Sequence, residues 1–230
     1  TFTDGTSERI ITDGSWQASS GPITFNHFYG GEDYDARLEK PGWSTVDYDA
    51  SGWDQVMVVE SPGGILDSQL MPPIKVTQTL RPFAQTNPEK GVYLYDFGQN
   101  FPGWWRIRVE GETGVELRIR GAETLNDSLF PEPLRPGDQL STKHRYHSNV
   151  WTTYILNGDG VEIYEPRFFY TGFRYAEVTV NQPENMESLE VEGRVAHSAL
   201  ETNGRFVTSD SLLNRIHRAT VWSQRGNTHS

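Results

Sequence analysis

The sequence predicts a mainly β chain: two β-sandwich or jelly-roll-like domains followed by one C-terminal helix. Three observations carry this. Over residues 91–120 apolar and polar residues alternate, with Val115, Leu117 and Ile119 on one face and charged residues on the other, the pattern of a half-buried antiparallel strand. Short runs of this kind recur down the chain between Gly, Pro, Asn and Asp turn signals, as in sandwiches and jelly rolls. Helical period is expected near the end, where Leu212, Ile216, Ala219 and Trp222 recur three to four residues apart.

In chain order, a strand is expected at residues 7–12, ended by Asp13-Gly14, two residues that tolerate positive φ. Residues 26–54 are polar, aromatic and irregular, with turn-then-Trp units at Pro41-Gly42-Trp43 and Ser51-Gly52-Trp53. Strands follow at 55–60 and 74–83. Residues 81–90 (RPFAQTNPEK) hold two prolines and read as a linker. Beyond it, 92–97 is a strand, Gly98-Gln99-Asn100 a turn, and 104–110 and 115–120 further strands. Residues 126–142 form a long proline-rich excursion, and long loops in compact domains are usually functional or mobile. Strands resume at 149–156, 161–165, 168–180 and 189–196. The helix is expected over about 209–225, with Ser209 as N-cap, Asp210 at the positive dipole end and Gly226 just past its end. The domain boundaries are accordingly 1–82, 83–200 and 201–230.

Composition excludes several functions. The 230 residues carry a formal net charge of -11, which argues against a non-specific nucleic-acid or anionic-membrane surface. No apolar run approaches the roughly 18 residues of a spanning helix. Without cysteine there is neither a disulfide framework nor thiolate chemistry. Neither a HExxH, a Gly-rich phosphate loop nor a GxSxG elbow is present. Seven Trp and ten Tyr offer flat faces suited to sugar rings, although the same residues are favoured in any sandwich core.

The densest chemical candidate is YGGEDYDAR, residues 29–37. Glu32, Asp33 and Asp35 lie within four positions, and in a loop they could converge as oxygen ligands for Ca²⁺. The bland alternative is an acidic loop edge with Arg37 paired to a carboxylate. His144 and His147 stand three apart in KHRYHS, in β or loop context rather than on a helix face. No organic cofactor is implied.

Four stretches together resemble bacterial α-L-rhamnosidases of glycoside hydrolase family 78. They are DGSWQASSGPITFNHFYGGEDYDARLEKPGW (13–43), YDFGQNFPGWWRIRVEG (95–111), GDGVEIYEPRFFYTGFRYAEV (158–178) and EGRVAHSALETNGRFVTSDSLLNRIHRATVWSQRGNTHS (192–230). Their order and spacing match as well, and residues 126–148 diverge. The resemblance implies an N-terminal sandwich, a second sandwich, and the first helix of an (α/α)₆ barrel that houses catalysis. On this basis the sequence holds no catalytic residue: the acid and base belong downstream of Ser230, and upstream strands of the first sandwich precede Thr1. The resemblance also implies a Ca²⁺-dependent rhamnose-binding role for the first sandwich. Glu32 and Asp35 would be the calcium ligands, and Tyr29, Tyr34, Trp43 and Trp53 the sugar platforms. Trp222, Arg225 and Asn227 would stand near the barrel. Glu165, Arg167, Tyr170, Gly172, Phe173 and Arg174 are expected to hold the second sandwich together, where a buried Arg–Glu pair would need satisfied partners. The implied partners are an L-rhamnose-containing glycan and the helical catalytic domain, with no nucleic acid and no membrane. The expected function is the accessory β part of an inverting α-L-rhamnosidase. The alternatives are a stand-alone carbohydrate-binding module and a structural or interaction domain.

Overall fold

A computed structural model describes residues 2–126, 128, 130–141 and 150–229. His144 and His147 lie outside the described residues. The elements in order are β1 (Gln17–Ala18), β2 (Ile23–His27), β3 (Gly31–Asp35), β4 (Asp54–Gln55), β5 (Ile74–Leu80), β6 (Ala84–Thr86), β7 (Val92–Gly111), β8 (Glu116–Ala122), β9 (Trp151–Ile155), β10 (Val161–Tyr164), β11 (Thr171–Val180), β12 (Met186–Ser198) and one helix, α1 (Ser211–Gly226). The chain is mainly β with a C-terminal helix, as its patterning predicts.

Contacts divide the chain into two compact units. The first comprises Thr1–Gly21 and Leu38–Ser68. Its ladder is the short antiparallel pair β1–β4, extended by the Val56 amide donating to the Trp16 carbonyl at 3.2 Å. The predicted turn at Asp13 forms: its carboxylate accepts from the Ser15 amide at 2.8 Å. The strand expected at 7–12 does not, because no neighbouring segment among the described residues offers it a ladder, and Ile10 and Ile11 stay exposed. The strand expected at 55–60 shortens for the same reason, leaving Met57, Val58 and Val59 in solvent.

The second unit comprises Pro22–Arg37 and Gln69–Ser230. Its 10-stranded sheet runs β2-β3-β9-β8-β11-β7-β12-β5, with β6 and β10 also pairing with β7. The expected turn at Gly98-Gln99-Asn100 is not a reversal. β7 passes straight through it as a 20-residue strand. Gly98 (φ 73) and Gly103 (φ 145) supply the conformations that let it bend. A Cβ at Gly103 would lie 1.8 Å from the Arg194 carbonyl oxygen, so the close β7–β12 approach requires glycine there. The first part of β7 pairs with β6 and β11, the last part with β10 and β12.

Bent in this way, the sheet curls and closes a core on itself. Trp105, Ile107 and Val109 of β7 meet Val115, Leu117 and Ile119 beside and on β8, all fully buried. Phe97, Phe101 and Phe173 pack beside Trp105 in edge-on and tilted pairs, with ring centroids 4.4–5.7 Å apart. Trp105 Nε1 donates to the Thr152 hydroxyl of β9 at 2.8 Å, satisfying its polar atom inside the core. The segment expected to be a linker contains β6, which is held on β7.

α1 runs from Ser211 to Gly226, two residues later at its start than expected. Asp210 is its N-cap, accepting from the Leu212 and Leu213 amides at 2.8 and 3.3 Å. Asn227 caps the other end, with Gly226 still helical. Trp222 packs against the core cluster of the sheet.

Candidate functional site

Glu32 is built into the sheet by its neighbours. β3 pairs antiparallel with β2 and parallel with β9. The turn into it requires Gly31: φ is 93°, and a Cβ there would sit 1.7 Å from the Trp151 carbonyl oxygen. Successive strand residues point to opposite faces. Glu32 therefore points inward, and it is fully buried. Its Oε1 accepts from the Tyr164 hydroxyl at 3.0 Å, and its Oε2 from the Arg167 and Phe168 amides at 2.9 Å each. Burial, then the Glu32 charge, pushes the Tyr164 phenol far above its ordinary range, so it remains a donor.

Asp35, three positions on, belongs to the opposite strand face. Both its oxygens accept from Arg37: Nε at 2.8 Å and Nη2 at 2.7 Å. These hydrogen bonds hold its carboxyl below the usual range. Ca²⁺ takes roughly six to eight oxygen ligands. Glu32 and Asp35 neither share a face nor keep free oxygens, so this donor set does not fit that ion. Among the described residues, no group of three or more His, Cys, Asp or Glu gathers for a metal.

The four aromatic candidates divide between the units. In the first, Trp43 is well exposed, and Trp53 is flanked by Lys40 at 5.6 Å and Tyr48 at 5.6 Å. In the second, Tyr29 is exposed, whereas Tyr34 packs on Tyr154 and Tyr164, with centroids at 5.6 and 5.4 Å. Tyr34, Trp104, Ile163, Tyr164, Glu165 and Arg167 line a shallow groove. Glu165 helps to hold the second unit together through partners on neighbouring strands. It takes Trp104 Nε1 at 3.0 Å, Arg106 at 3.1 Å and Arg194 at 3.4 Å, because those residues stand on adjacent paired strands.

The other buried acids are committed in the same way. Asp96, fully buried, accepts two bonds from Arg174 at 2.8 and 2.9 Å and one from the Gly98 amide at 2.7 Å. Glu177 holds Arg120 at 2.8 Å. The Asp96–Arg174 pair ties β7 to β11 across 78 positions of sequence. An acid–base pair for glycoside hydrolysis must flank open space for a sugar and a water. These carboxylates instead face protein donors, and their chemistry is structural.

At the C-terminal end, Trp222 lies against the sheet with the Arg225 guanidinium 4.9 Å above its ring. The Asn227 side chain donates to the Ser223 carbonyl at 2.7 Å. Thus, of the three residues expected near a barrel, Trp222 packs α1 on the sheet's core, Arg225 covers the Trp222 ring from within the same helix, and Asn227 closes the helix. Leu212, Leu213 and Ile216 remain exposed on the outer face.

A curled, mostly antiparallel sheet whose buried acids brace the fold is the architecture of a concanavalin-like β domain, accompanied in the chain by a smaller unit. Family comparisons agree: the α-L-rhamnosidase N-terminal domain matches residues 1–78, and the bacterial α-L-rhamnosidase concanavalin-like domain matches residues 86–197. The chain is 38% identical over 228 residues to an α-L-rhamnosidase of Streptomyces avermitilis and 31% identical over 232 residues to one of Formosa agariphila. It covers 98% and 99% of itself in these matches but 21% and 23% of the relatives. The solved α-L-rhamnosidase of Dictyoglumus thermophilum superposes with a TM-score of 0.87 at 41% identity, over 99% of this chain and 25% of that one. The Streptomyces avermitilis enzyme, solved with L-rhamnose, gives 0.86 at 35%, over 99% of this chain and 21% of that one. The chain belongs to the bacterial α-L-rhamnosidase family, in which it represents the N-terminal and concanavalin-like domains.

Proposed function

We propose that this chain is the accessory β region of an inverting α-L-rhamnosidase that removes terminal α-L-rhamnose from glycosides or polysaccharides. In that reaction one carboxylic acid protonates the glycosidic oxygen while a second carboxylate activates water on the opposite face of the sugar. Both groups lie outside these residues in this reading. The β region supplies a rigid seat for the helical domain that carries them. One observation carries the proposal: α1 is docked by Trp222 while Leu212, Leu213 and Ile216 stay uncovered. A helix with a second apolar face is half of a helix–helix contact.

The test uses a polypeptide that contains this chain within the length of its relatives. Leu212→Asp with Ile216→Asp should strongly reduce rhamnosidase activity there. In the 230-residue chain the same pair should change unfolding free energy by no more than about 0.5 kcal/mol each, as for surface sites. Full activity in the longer double variant contradicts the docking role.

The exposed Trp43 favours a second reading, a sugar-binding contribution by the first unit. Titrating L-rhamnose with and without Ca²⁺ decides it: saturable binding lost in Trp43→Ala supports this reading, and unchanged binding or none rejects it.

A further inference from the structure

The residues that follow α1 return to the sandwich. The Ser198 amide at the end of β12 donates to the Thr228 carbonyl at 2.8 Å. The next residue, His229, lies flat on Tyr170, with ring centroids 3.6 Å apart and planes 24° apart. Its Nδ1 is buried without a hydrogen-bond partner. Close by is a second imidazole, His197, itself buried on β12. His197 Nδ1 is 2.8 Å from the Ser198 carbonyl oxygen, and Nε2 is 2.9 Å from the Thr77 hydroxyl. A carbonyl only accepts, so Nδ1 carries a proton; in the neutral ring Nε2 accepts from the Thr77 hydroxyl, which also lies 3.4 Å from the Val195 carbonyl oxygen.

We propose that Tyr170, His197 and His229 form an acid-sensitive latch that holds α1 on the sandwich while the His229 ring is neutral and releases it when that ring is protonated. This rests on contacts within the chain and is independent of the catalytic reading above.

The charged and titratable groups around the latch add to this bias. α1 contributes His217 and Arg225, the connector before it Glu201 and Arg205, β5 Lys75, which is paired in register with His197, and the loop before β11 Tyr170. Burial pushes the Tyr170 phenol up to about 12, so it stays neutral. Glu201 is the carboxylate of the set, and three of its other members, Lys75, Arg205 and Arg225, are cations. An added proton on His229 therefore meets an unpartnered buried nitrogen and mostly like charge. Burial first, then His197, lowers the His229 imidazole below its ordinary 6.5. Docking is therefore fully present above 6.5 and weakens as pH falls through that value towards the depressed one.

Amide hydrogen exchange of the 230-residue chain tests the latch. Rates in α1 are compared with those in β7 at about pH 7.5 and about pH 5, each corrected for intrinsic exchange. Protection of α1 should fall several-fold at the lower pH while β7 keeps its protection. His229→Phe preserves the ring stack and cannot titrate, so its α1 should lose no more protection than β7. Tyr170→Leu should leave α1 poorly protected at both pH values. A wild-type α1 equally protected at both pH values overturns the proposal, as does a His229→Phe chain that loses protection like wild type. An NMR titration of the wild-type His229 ring needs no variant: a midpoint below 6.5 supports the latch, and one at or above it overturns it.

Discussion

At the scale of single residues, Glu32 shows how a chemically suggestive motif becomes structural. Its carboxylate accepts one phenol and two amides, each charge-assisted hydrogen bond being worth more than a neutral one. Glu32→Gln removes the charge and turns one oxygen into a donor facing donors. We expect it to cost about 2–3 kcal/mol, read as a lower urea midpoint with unchanged slope. Gly31→Ala should also destabilise, since its new methyl would overlap the Trp151 carbonyl at a left-handed φ; loss of the β3–β9 pairing would appear as rapid exchange of amides 151–155. The sequence showed that 29–37 is special, but not why. Reading Glu32 and Asp35 as co-ligands required a loop, and the strand's alternation sends them to opposite faces. Their acceptor sites are filled from Arg37, two residues on, and from residues more than 130 positions away. Only the first of these is legible locally.

At the scale of elements, periodicity found the second unit's strands and the helix because each buries one face. Val115, Leu117 and Ile119 alternate in the sequence and are all fully buried. It missed the continuity of β7, since Gly98 and Asn100 carry the chemistry of a reversal and only the ladders to β6, β11, β10 and β12 reveal a bend. It also over-assigned the strands at 7–12 and 55–60. Alternation describes a face that could be buried, whereas a strand needs a partner. In α1 the apolar period was clear, but the face on the sandwich was not. Trp222 does the docking, with Arg225 lying over its ring from the same helix, and Leu212 and Ile216 stay exposed. Trp222→Ala should therefore free the helix, with a loss of helical circular dichroism, at a cost of roughly 3 kcal/mol or more.

At the scale of the molecule, the second unit is held by one curled sheet around an aromatic core, with its buried acids paired to that sheet's own donors. Among the described residues its buried carboxylates Glu32, Asp96 and Glu177 face protein donors rather than an open cleft. The family relationship names glycosidases, and in our proposal this chain supports one. The measurement that bears most directly on this account is hydrolysis of p-nitrophenyl α-L-rhamnoside by the purified 230-residue chain. Nitrophenol release should not exceed that of buffer, and a longer polypeptide containing the chain should release it readily. Sustained turnover by the chain itself, abolished by Asp96→Asn or by neutralising another of its own carboxylates in a variant that still folds, would place an active site within these β units and contradict the account.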